Sequence, residues 1–483
     1  MTPVTKTSPF TRLSARALGH ADASVALPAY DRTTLETGIL HIGPGAFHRA
    51  HQGWFVDKIA ARDPRWGLSV VALRGTSTTD ALTAQDGLYT IAELSQTPRF
   101  RVIGAVREAI AARTYPQAVL ARLADPRLAV VTMTVTENGY CLTPSGDLDT
   151  ARDEIAHDLT GASVPQSLIG WLVEGLARRQ RVGLAPYTMI SCDNLADNGR
   201  RLKRAVLQFA HERDPDLARW LEQTAHFPST MVDSITPASD EALKARVALH
   251  LGAVDMAPVQ REPFVQWVME PAPDAIGPDW AGAGVTVTHD VAAYEQAKLR
   301  ILNGAHSTLA YLGLLRGAKT TCDAMADAVL ARFVHRLIVE DILPSLTPPQ
   351  GLDLRDYTEV VLARIANPAI THHLGQIAWD GSQKLPYRLF GVIEDARAKG
   401  RPLARLAVPI AAWMRFVCRR LREGAELIDP LAPRLATVAA RCSGNGVHDV
   451  KAFEGLVPAA PRFTQALIAA YDAIGGNGAL PGG

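Results

Sequence analysis

Cysteine is scarce in this chain, with five residues among 483. They are scattered, odd in number and form no Cys-X-X-Cys pair, so neither a disulfide framework nor a zinc knuckle is indicated. This usage is typical of a reducing compartment, and we expect a cytoplasmic protein. Residues 1–28 also lack the basic and apolar regions of a signal peptide.

Long apolar runs and net charge are missing as well. No window approaches the roughly 18 apolar residues that a membrane span needs. The formal net charge is +1, which gives no electrostatic reason to expect nucleic acid or a membrane as partner. A hydrophobic share of 47% over 483 residues is typical of a globular protein with two large domains.

The first part of the chain alternates short apolar runs with helical patterns. Strands are predicted at 38–42, 68–73, 128–136 and 185–191, and helices at 46–62, 115–123, 165–179 and 195–213. This alternation predicts a doubly wound α/β domain over residues 1–288.

The pattern changes past residue 288, where no convincing strand pattern is found. Helices are predicted at 291–315, 322–343, 356–364, 376–398, 403–423 and 462–474. A mostly helical second domain is therefore expected over residues 289–483.

A glycine turn follows the first predicted strand of the α/β domain. Gly43, Pro44 and Gly45 could bring backbone amides to a pyrophosphate at the start of a helix. His48 stands where the dinucleotide fingerprint has its third glycine, so a plain tight turn is an equal alternative. No carboxylate follows Arg74 until Asp80, and a cation there can accept the 2′-phosphate of NADP.

The segment from Lys298 to His306 has the residues of a proton-transfer site. At about 100° per residue, Lys298, His306 and Asn303 fall at roughly 0°, 80° and 140° on a helix. The lysine lies on the apolar side, and a buried lysine with a lowered pKa suits a general base. The amide and the imidazole could bind an oxyanion. In the alternative, the lysine stem packs on the core and its ammonium reaches water.

Two further polar residues stand at predicted element ends. Asn194 follows the strand at 185–191, where ligands of open α/β sheets gather, although it could instead cap the next helix. Lys384 precedes Pro386, which is predicted to end or bend its helix, and a solvent-facing lysine is the alternative. His41, His48 and His51 have no partner at metal-ligand spacing, so no metal site is expected.

Seven ordered segments resemble the polyol-specific long-chain dehydrogenases, the mannitol dehydrogenase family. They are HIGPGAFHRAHQ (41–52), TVTENGYC (134–141), SCDN (191–194), FPSTMVD (227–233), EPFVQWVME (262–270), KLRILNGAHS (298–307) and DGSQKLP (380–386). The resemblance covers the chain beyond residue 30. It implies an N-terminal Rossmann-type domain, a mostly α-helical C-terminal domain and metal-independent hydride transfer.

The resemblance also implies roles for individual residues. Lys298 matches the catalytic acid/base, Asn194 and Asn303 match oxyanion-binding asparagines, and His306 matches an assisting histidine. Asp233 and Lys384 match substrate-binding residues. The expected cofactor is NAD, with NADP not excluded. Cofactor-binding residues are expected to be Ile42, Gly43, Pro44, Gly45, Ala46, Phe47, His48, Arg49 and Arg74.

Two departures from the mannitol enzymes bear on substrate and cofactor. Thr76-Ser77 replaces an acidic pair, which leaves strict NAD preference open. Gln376 replaces a substrate-contacting arginine, as in the family members that reduce fructuronate, and these also share DGSQKLP and Arg388. The resemblance therefore favours D-mannonate and D-fructuronate, with mannitol, arabinitol or sorbitol as the alternative substrates.

Two other classes of protein are alternatives to a dehydrogenase with a small-molecule substrate. A small-molecule substrate is expected, with the protein a monomer or small homo-oligomer. A Schiff-base aldolase or isomerase using Lys298 would need no nicotinamide, and borohydride trapping of substrate would support it. A non-catalytic cofactor sensor would have no reason to retain the lysine, asparagine and histidine set.

Overall fold

A computed structural model describes residues 10–272 and 277–480 of the chain. It divides into two compact units, Met1–Val291 and Ala292–Gly483. Within the described ranges, no helix is long and apolar enough to cross a membrane. Residues 1–9, part of the stretch without a signal-peptide pattern, lie outside the described residues.

Five parallel strands form the central sheet of the first unit. In spatial order they are Val106–Ala111, Leu68–Ala72, Ile39–Ile42, Val130–Met133 and Thr188–Ser191. The four strands predicted from apolar runs are thereby confirmed. Because Ile39–Ile42 is flanked by Leu68–Ala72 on one side and Val130–Met133 on the other, the sheet reverses its winding there. A doubly wound sheet binds its ligand at this reversal, outside the carboxyl ends of the strands.

Both faces of the central sheet are buried, which explains why its strands are near-continuous apolar runs. Alternate residues of one strand enter two different hydrophobic cores. One core receives Ile39, Val70 and Val130, and the other receives Leu40, Val71 and Val131.

The helices of the first unit cover these faces and connect the strands. The α-helices are Ala46–Ala50, Gln52–Ala60, Ser77–Ala84, Pro116–Leu123, Asp153–Leu159, Leu168–Arg181, Asn198–Arg213, Pro215–Thr224, Glu241–Leu251 and Trp280–Ala283. Short 3-10 turns lie at Ala17–His20, Arg32–Thr34 and Glu137–Tyr140. The helix predicted over 46–62 is broken at His51, whose φ of −114° and ψ of −86° are not helical.

Three smaller sheets of the first unit, and the strand Val106–Ala111, were not predicted. Their strands pair in the orders Val259–Arg261, Tyr89–Glu93, Arg99–Ile103, Val25–Ala26; Thr230–Asp233, Gln266–Met269, Thr286–Val287; and Thr11–Arg12 with Ala253–Val254. Several carry charged side chains between apolar ones, since one side is less buried. A search for continuous apolar runs misses such strands.

The regular secondary structure of the second unit is helical in its described residues, apart from single bridge pairs. Its α-helices are Gly304–Leu315, Thr321–Ala326, Ala328–Arg336, Leu354–Ile365, Leu374–Ile377, Gly381–Leu385, Gly391–Ala398, Ala404–Arg422, Ala432–Ala439, Gly446–Ala452 and Pro461–Ile474. Val291–Ala297 precedes them, and a 3-10 turn lies at Leu343–Ser345. Gly304–Leu315 is apolar almost all round and runs through the core. The prediction of a mostly helical second domain is confirmed.

Three π-helical segments interrupt these helices, at Lys298–Asn303, Leu337–Ile342 and Pro386–Phe390. The prediction that Pro386 ends or bends its helix is confirmed in part, because the α-helix Gly381–Leu385 ends directly before Pro386 and the chain continues through the third π segment into Gly391–Ala398. A proline removes an α-helical hydrogen bond, and the wider π turn accommodates that loss.

Candidate active site

The turn after the strand Ile39–Ile42 requires glycine at its first position. Gly43 has a φ of +95°, and a Cβ there would lie 2.1 Å from the carbonyl oxygen of Thr134. The Gly43 carbonyl accepts a hydrogen bond from Thr134 Oγ1 at 2.8 Å, and His41 Nε2 lies 3.1 Å from the same oxygen. These contacts hold the backbone in place at the ligand-binding edge of the sheet.

His48, at the position of the missing third glycine, packs flat on His41. Their ring centroids are 3.4 Å apart with an angle of 16° between the planes. The third glycine of the fingerprint permits close packing of helix on strand, and here two stacked imidazoles occupy that contact. Burial lowers the pKa of His41 to about 3 and the pKa of His48 well below its usual range. Both rings are therefore neutral at pH 7.

This burial predicts loss of stability in acid. Between pH 6.5 and about 3, His41 is protonated in the unfolded chain but not in the folded chain. The free energy of unfolding therefore decreases as the pH is lowered through this range. For this residue alone the loss between pH 7 and pH 5 is about 2 kcal/mol. In urea unfolding, a His41→Gln variant should lose less stability than wild type over that interval by this amount. Equal losses in the two proteins would contradict the prediction.

A groove of about 420 Å³ lies along the carboxyl ends of the central strands. Gly43, Leu73, Arg74, Thr134, Asn138 and Glu154 are among its lining residues. Its place beside the glycine turn fits a dinucleotide, for which Gly43 would leave room at the pyrophosphate. Gly43 and Arg74 are thus the two predicted cofactor residues that line the groove.

The other predicted cofactor residues belong to the turn and the first helix. Ile42 ends its strand, Pro44 and Gly45 complete the turn, and Ala46 and Phe47 begin the helix Ala46–Ala50. His48 and Arg49 are buried beneath them, with 1% and 9% of their surface exposed. Tyr89 donates its hydroxyl proton to the Arg49 carbonyl at 2.9 Å.

Asn194 lies just beyond the carboxyl end of the strand Thr188–Ser191. The next helix begins at Asn198 with Asp197 at its N-cap position, so the alternative that Asn194 caps it is wrong. The neighbouring Asp193 accepts hydrogen bonds from the backbone of Val135 at 3.0 Å and from Tyr140 Oη at 2.7 Å. Sequence reasoning missed Asp193, although its position in the SCDN segment was a signal.

Asp233 is the last residue of the strand Thr230–Asp233 and is buried. Asn198 ties that strand to the end of the central sheet, because its amide donates to the carbonyls of Thr230 at 3.0 Å and Asp193 at 3.1 Å. The first unit thus places Asp233 on a strand that is anchored beside the segment carrying Asn194.

In the second unit, Lys298, Asn303 and His306 lie on one continuous helical stretch. The predicted angles of 0°, 140° and 80° are wrong, because Lys298–Asn303 is a π turn. A π turn takes about one residue more than an α turn, so Lys298 and Asn303 are separated by roughly one turn. His306 follows one α-helical turn later. The three residues therefore share one face more closely than an ideal α-helix allows.

Burial sets the chemistry of this face. Lys298 has 9% and His306 has 7% of its surface exposed. Burial lowers the pKa of His306 well below its usual range, and the positive charges of His372 and Arg388 add to the effect. The Nε2 atom of His306 is buried without a hydrogen-bond partner in the part of the chain that the structure describes. A neutral imidazole with one uncommitted nitrogen can hydrogen-bond to a substrate oxygen.

The DGSQKLP segment forms a short helix whose position is fixed by contacts around Gly381 and Ser382. Asp380 has a φ of +55°. A Cβ on Gly381 would lie 2.5 Å from both Trp413 Nε1 and Tyr311 Oη, so only glycine fits there. The Ser382 amide donates to Asp429 at 2.9 Å. These interactions fix the short helix that carries Lys384.

Arg388 contacts the helical stretch that carries Lys298, whereas Lys384 is paired with a carboxylate of its own helix. Arg388 Nη1 donates to Ser307 Oγ at 3.0 Å and to the Asn303 carbonyl at 3.4 Å. Lys384 Nζ lies 3.7 Å from Asp380, with 28% of its side chain exposed. Burial lowers the pKa of Lys384, and the charge of Arg388 lowers it further. Arg388 is thus held by two contacts within the second unit, and the substrate-binding role of Lys384 stays a prediction.

The locations of Gln376 and His372 in the second unit could not be read from the sequence. Gln376 is exposed and lines a separate groove of about 420 Å³ with Trp379 and Phe416. His372 packs edge-on against His306, with ring centroids 5.2 Å apart. No motif marks His372, and only the tertiary contact identifies it.

Across residues 10–272 and 277–480, no group of three or more His, Cys, Asp or Glu residues could hold a metal ion.

A Rossmann-type sheet with a glycine turn, followed by a helical unit with a buried lysine, defines a class of dinucleotide-dependent oxidoreductases. Two family models match this chain: the mannitol dehydrogenase Rossmann domain over residues 37–282 and the mannitol dehydrogenase C-terminal domain over residues 290–475. The protein belongs to the mannitol dehydrogenase family and is an oxidoreductase.

Individual relatives resemble it over nearly their whole length. The D-mannonate oxidoreductase of Escherichia coli K12 is 37% identical, with 94% of this chain and 96% of that protein covered. The Pseudomonas fluorescens mannitol 2-dehydrogenase, solved with NAD and D-mannitol, is 33% identical with a TM-score of 0.80, covering 96% and 97%. A substrate-free D-sorbitol dehydrogenase is 30% identical with a TM-score of 0.90, covering 98% and 100%.

Proposed function

We propose that the protein interconverts the secondary alcohol of a sugar acid and the corresponding ketone, with D-mannonate and D-fructuronate as the pair. The single observation that carries this proposal is the position of Arg388 beside Asn303 and Ser307. The similarity to D-mannonate oxidoreductase supports it. The NAD in the related mannitol 2-dehydrogenase supports a nicotinamide dinucleotide as hydride carrier.

Lys298 is proposed to transfer the proton. In oxidation, the substrate hydroxyl gives its proton to Lys298 Nζ while the hydrogen on the same carbon leaves as hydride. The nicotinamide ring supplies the hydride acceptor. In reduction, Lys298 returns the proton to the oxygen that has become alkoxide. A lysine amine suits both directions, because it accepts a proton when neutral and donates one when charged.

Asn303 and His306 are proposed to hold the reacting oxygen. Asn303 ends the π turn that begins at Lys298, so its amide can donate to an oxygen that the lysine protonates. His306 is neutral and buried, and its ring can offer a second hydrogen bond. Donors fixed in this way stabilise developing negative charge without reorganising during the reaction.

Arg388 is proposed to bind the substrate carboxylate. Both of its hydrogen-bond acceptors, Ser307 Oγ and the Asn303 carbonyl, are uncharged. Among the described residues, no ion pair between Arg388 and a carboxylate is found. Burial lowers the pKa of Arg388, so its charge is poorly compensated. An anionic substrate would compensate it, and the planar guanidinium suits bidentate binding of a carboxylate.

A neutral polyol is the second candidate substrate. The likeness to D-sorbitol dehydrogenase, with its TM-score of 0.90, favours it. On this alternative Arg388 and Lys384 would bind hydroxyl groups. A panel of NADH- and NADPH-dependent reductions of fructuronate, tagaturonate, fructose and ribulose or xylulose separates the candidates. We expect the highest kcat/KM with fructuronate, and faster reduction of fructose would overturn the substrate assignment.

The Arg388→Ala variant tests the carboxylate assignment directly. We expect the KM for fructuronate to rise by about 10- to 100-fold, the range for losing a hydrogen bond to a charged group. Any activity on fructose should change little. Steady-state kinetics with both substrates give the comparison.

A nearby arginine provides the matched control. Arg397 lies on the following helix and is ion-paired with Glu394 at 2.7 Å. Arg397→Ala should leave both KM values unchanged. Equal effects of Arg388→Ala on fructuronate and fructose would remove Arg388 from carboxylate binding.

A further inference from the structure

Two arginines stand at neighbouring strand ends in the first unit. The parallel strands Leu68–Ala72 and Val106–Ala111 are paired so that Ala72 lies opposite Ala111. Arg74 and Arg113 each follow their strand end by two residues, and both are exposed. The pairing therefore brings two cations to one stretch of the ligand-binding edge.

The surroundings of Arg74 are positive and rich in hydroxyl groups. Thr76 and Ser77 follow it and are exposed. The stretch from residue 73 to 79 contains no carboxylate. Glu154, which lines the same groove as Arg74, is ion-paired with Arg152 at 2.8 Å. Its charge is thereby compensated, and the groove keeps the positive field of Arg74.

The end of the second strand of a Rossmann sheet distinguishes the two nicotinamide cofactors. A carboxylate there binds the free ribose 2′-hydroxyl of NAD, and an arginine there accommodates the 2′-phosphate of NADP. We propose that Arg74 and Arg113, with Thr76 and Ser77, bind the 2′-phosphate, so that the enzyme binds NADP(H) at least as tightly as NAD(H). This inference rests on the proposed dehydrogenase function.

Isothermal titration with NADP⁺ and NAD⁺, without sugar, tests the proposal independently of turnover. We expect NADP⁺ to bind at least as tightly as NAD⁺ to the wild-type protein. Arg74→Ala should weaken NADP⁺ binding by about 10- to 100-fold, as for loss of a charge-assisted hydrogen bond, and change NAD⁺ binding less than about threefold. Arg113→Ala should act in the same direction. Added salt should weaken NADP⁺ binding more than NAD⁺ binding.

Arg355→Ala is the matched control, because Arg355 is exposed on a helix of the second unit. It should leave both affinities unchanged. Tenfold weaker binding of NADP⁺ than of NAD⁺ to wild type would overturn the proposal, as would equal weakening of both by Arg74→Ala. Binding of neither dinucleotide would instead overturn the dehydrogenase function on which the proposal rests.

Discussion

Replacing Lys298 with alanine should lower kcat by about 10²- to 10⁴-fold, the range that general acid–base catalysis supplies. The lysine is buried at the start of the π turn and shares a helix face with Asn303 and His306. In the variant, a water molecule must accept the hydroxyl proton, and this water is not positioned for the transfer as the lysine amine is. Steady-state oxidation and reduction rates measure the loss, and circular dichroism checks that the fold is retained.

The control for this variant is a lysine on the surface. Lys451 is exposed on the helix Gly446–Ala452, and Lys451→Ala should keep wild-type kcat. Near wild-type turnover in Lys298→Ala would remove Lys298 from the mechanism. Borohydride treatment with substrate should leave the wild-type protein unmodified. Covalent trapping of the sugar on Lys298 would indicate Schiff-base chemistry instead.

Replacing Asn303 with alanine should lower kcat by about 10²- to 10³-fold, as loss of a single oxyanion donor does. The effect should fall on kcat more than on KM, because the hydrogen bond strengthens as negative charge develops on oxygen. The backbone carbonyl of Asn303, which accepts from Arg388 at 3.4 Å, is unchanged by the substitution. Loss of the carboxylate contact is therefore not expected.

Single-turnover kinetics separate this role from simple binding. Asn303→Ala should slow the hydride-transfer step itself while the dissociation constant of the dinucleotide stays within about threefold. The same result is expected for Asn194→Ala, because the family resemblance matches Asn194 to an oxyanion-binding asparagine. An unchanged kcat with a raised KM in either variant would show that the residue only binds substrate.

Much of the fold could be predicted from the sequence, because its central elements have strong local patterns. The apolar runs at 68–73 and 185–191 became parallel strands, and the helical periodicity at 403–423 became the helix Ala404–Arg422. Strands with one less buried side, such as Arg99–Ile103, were missed. Their charged residues interrupt the apolar pattern, and only pairing with Tyr89–Glu93 identifies them as strands.

The site was predicted as a set of residues but not as an arrangement. The sequence indicated Lys298, Asn303 and His306. On an ideal α-helix, however, Asn303 would point about 140° away from Lys298. No periodicity argument from single residues reveals a π turn, because the turn depends on how the surrounding helices pack. The same holds for His372, whose edge-on contact with His306 joins residues far apart in the chain.

The sequence by itself determined four of the five central strands, the mostly helical character of the second unit, the glycine turn and the residues able to do the chemistry. These features depend on neighbours within a few positions, where side-chain spacing decides which face is buried. Only the tertiary structure decided that His48 stacks on His41 in place of a glycine, and that Arg388 reaches Ser307. Those contacts join separate elements, and their geometry is set by packing between elements that local periodicity does not encode.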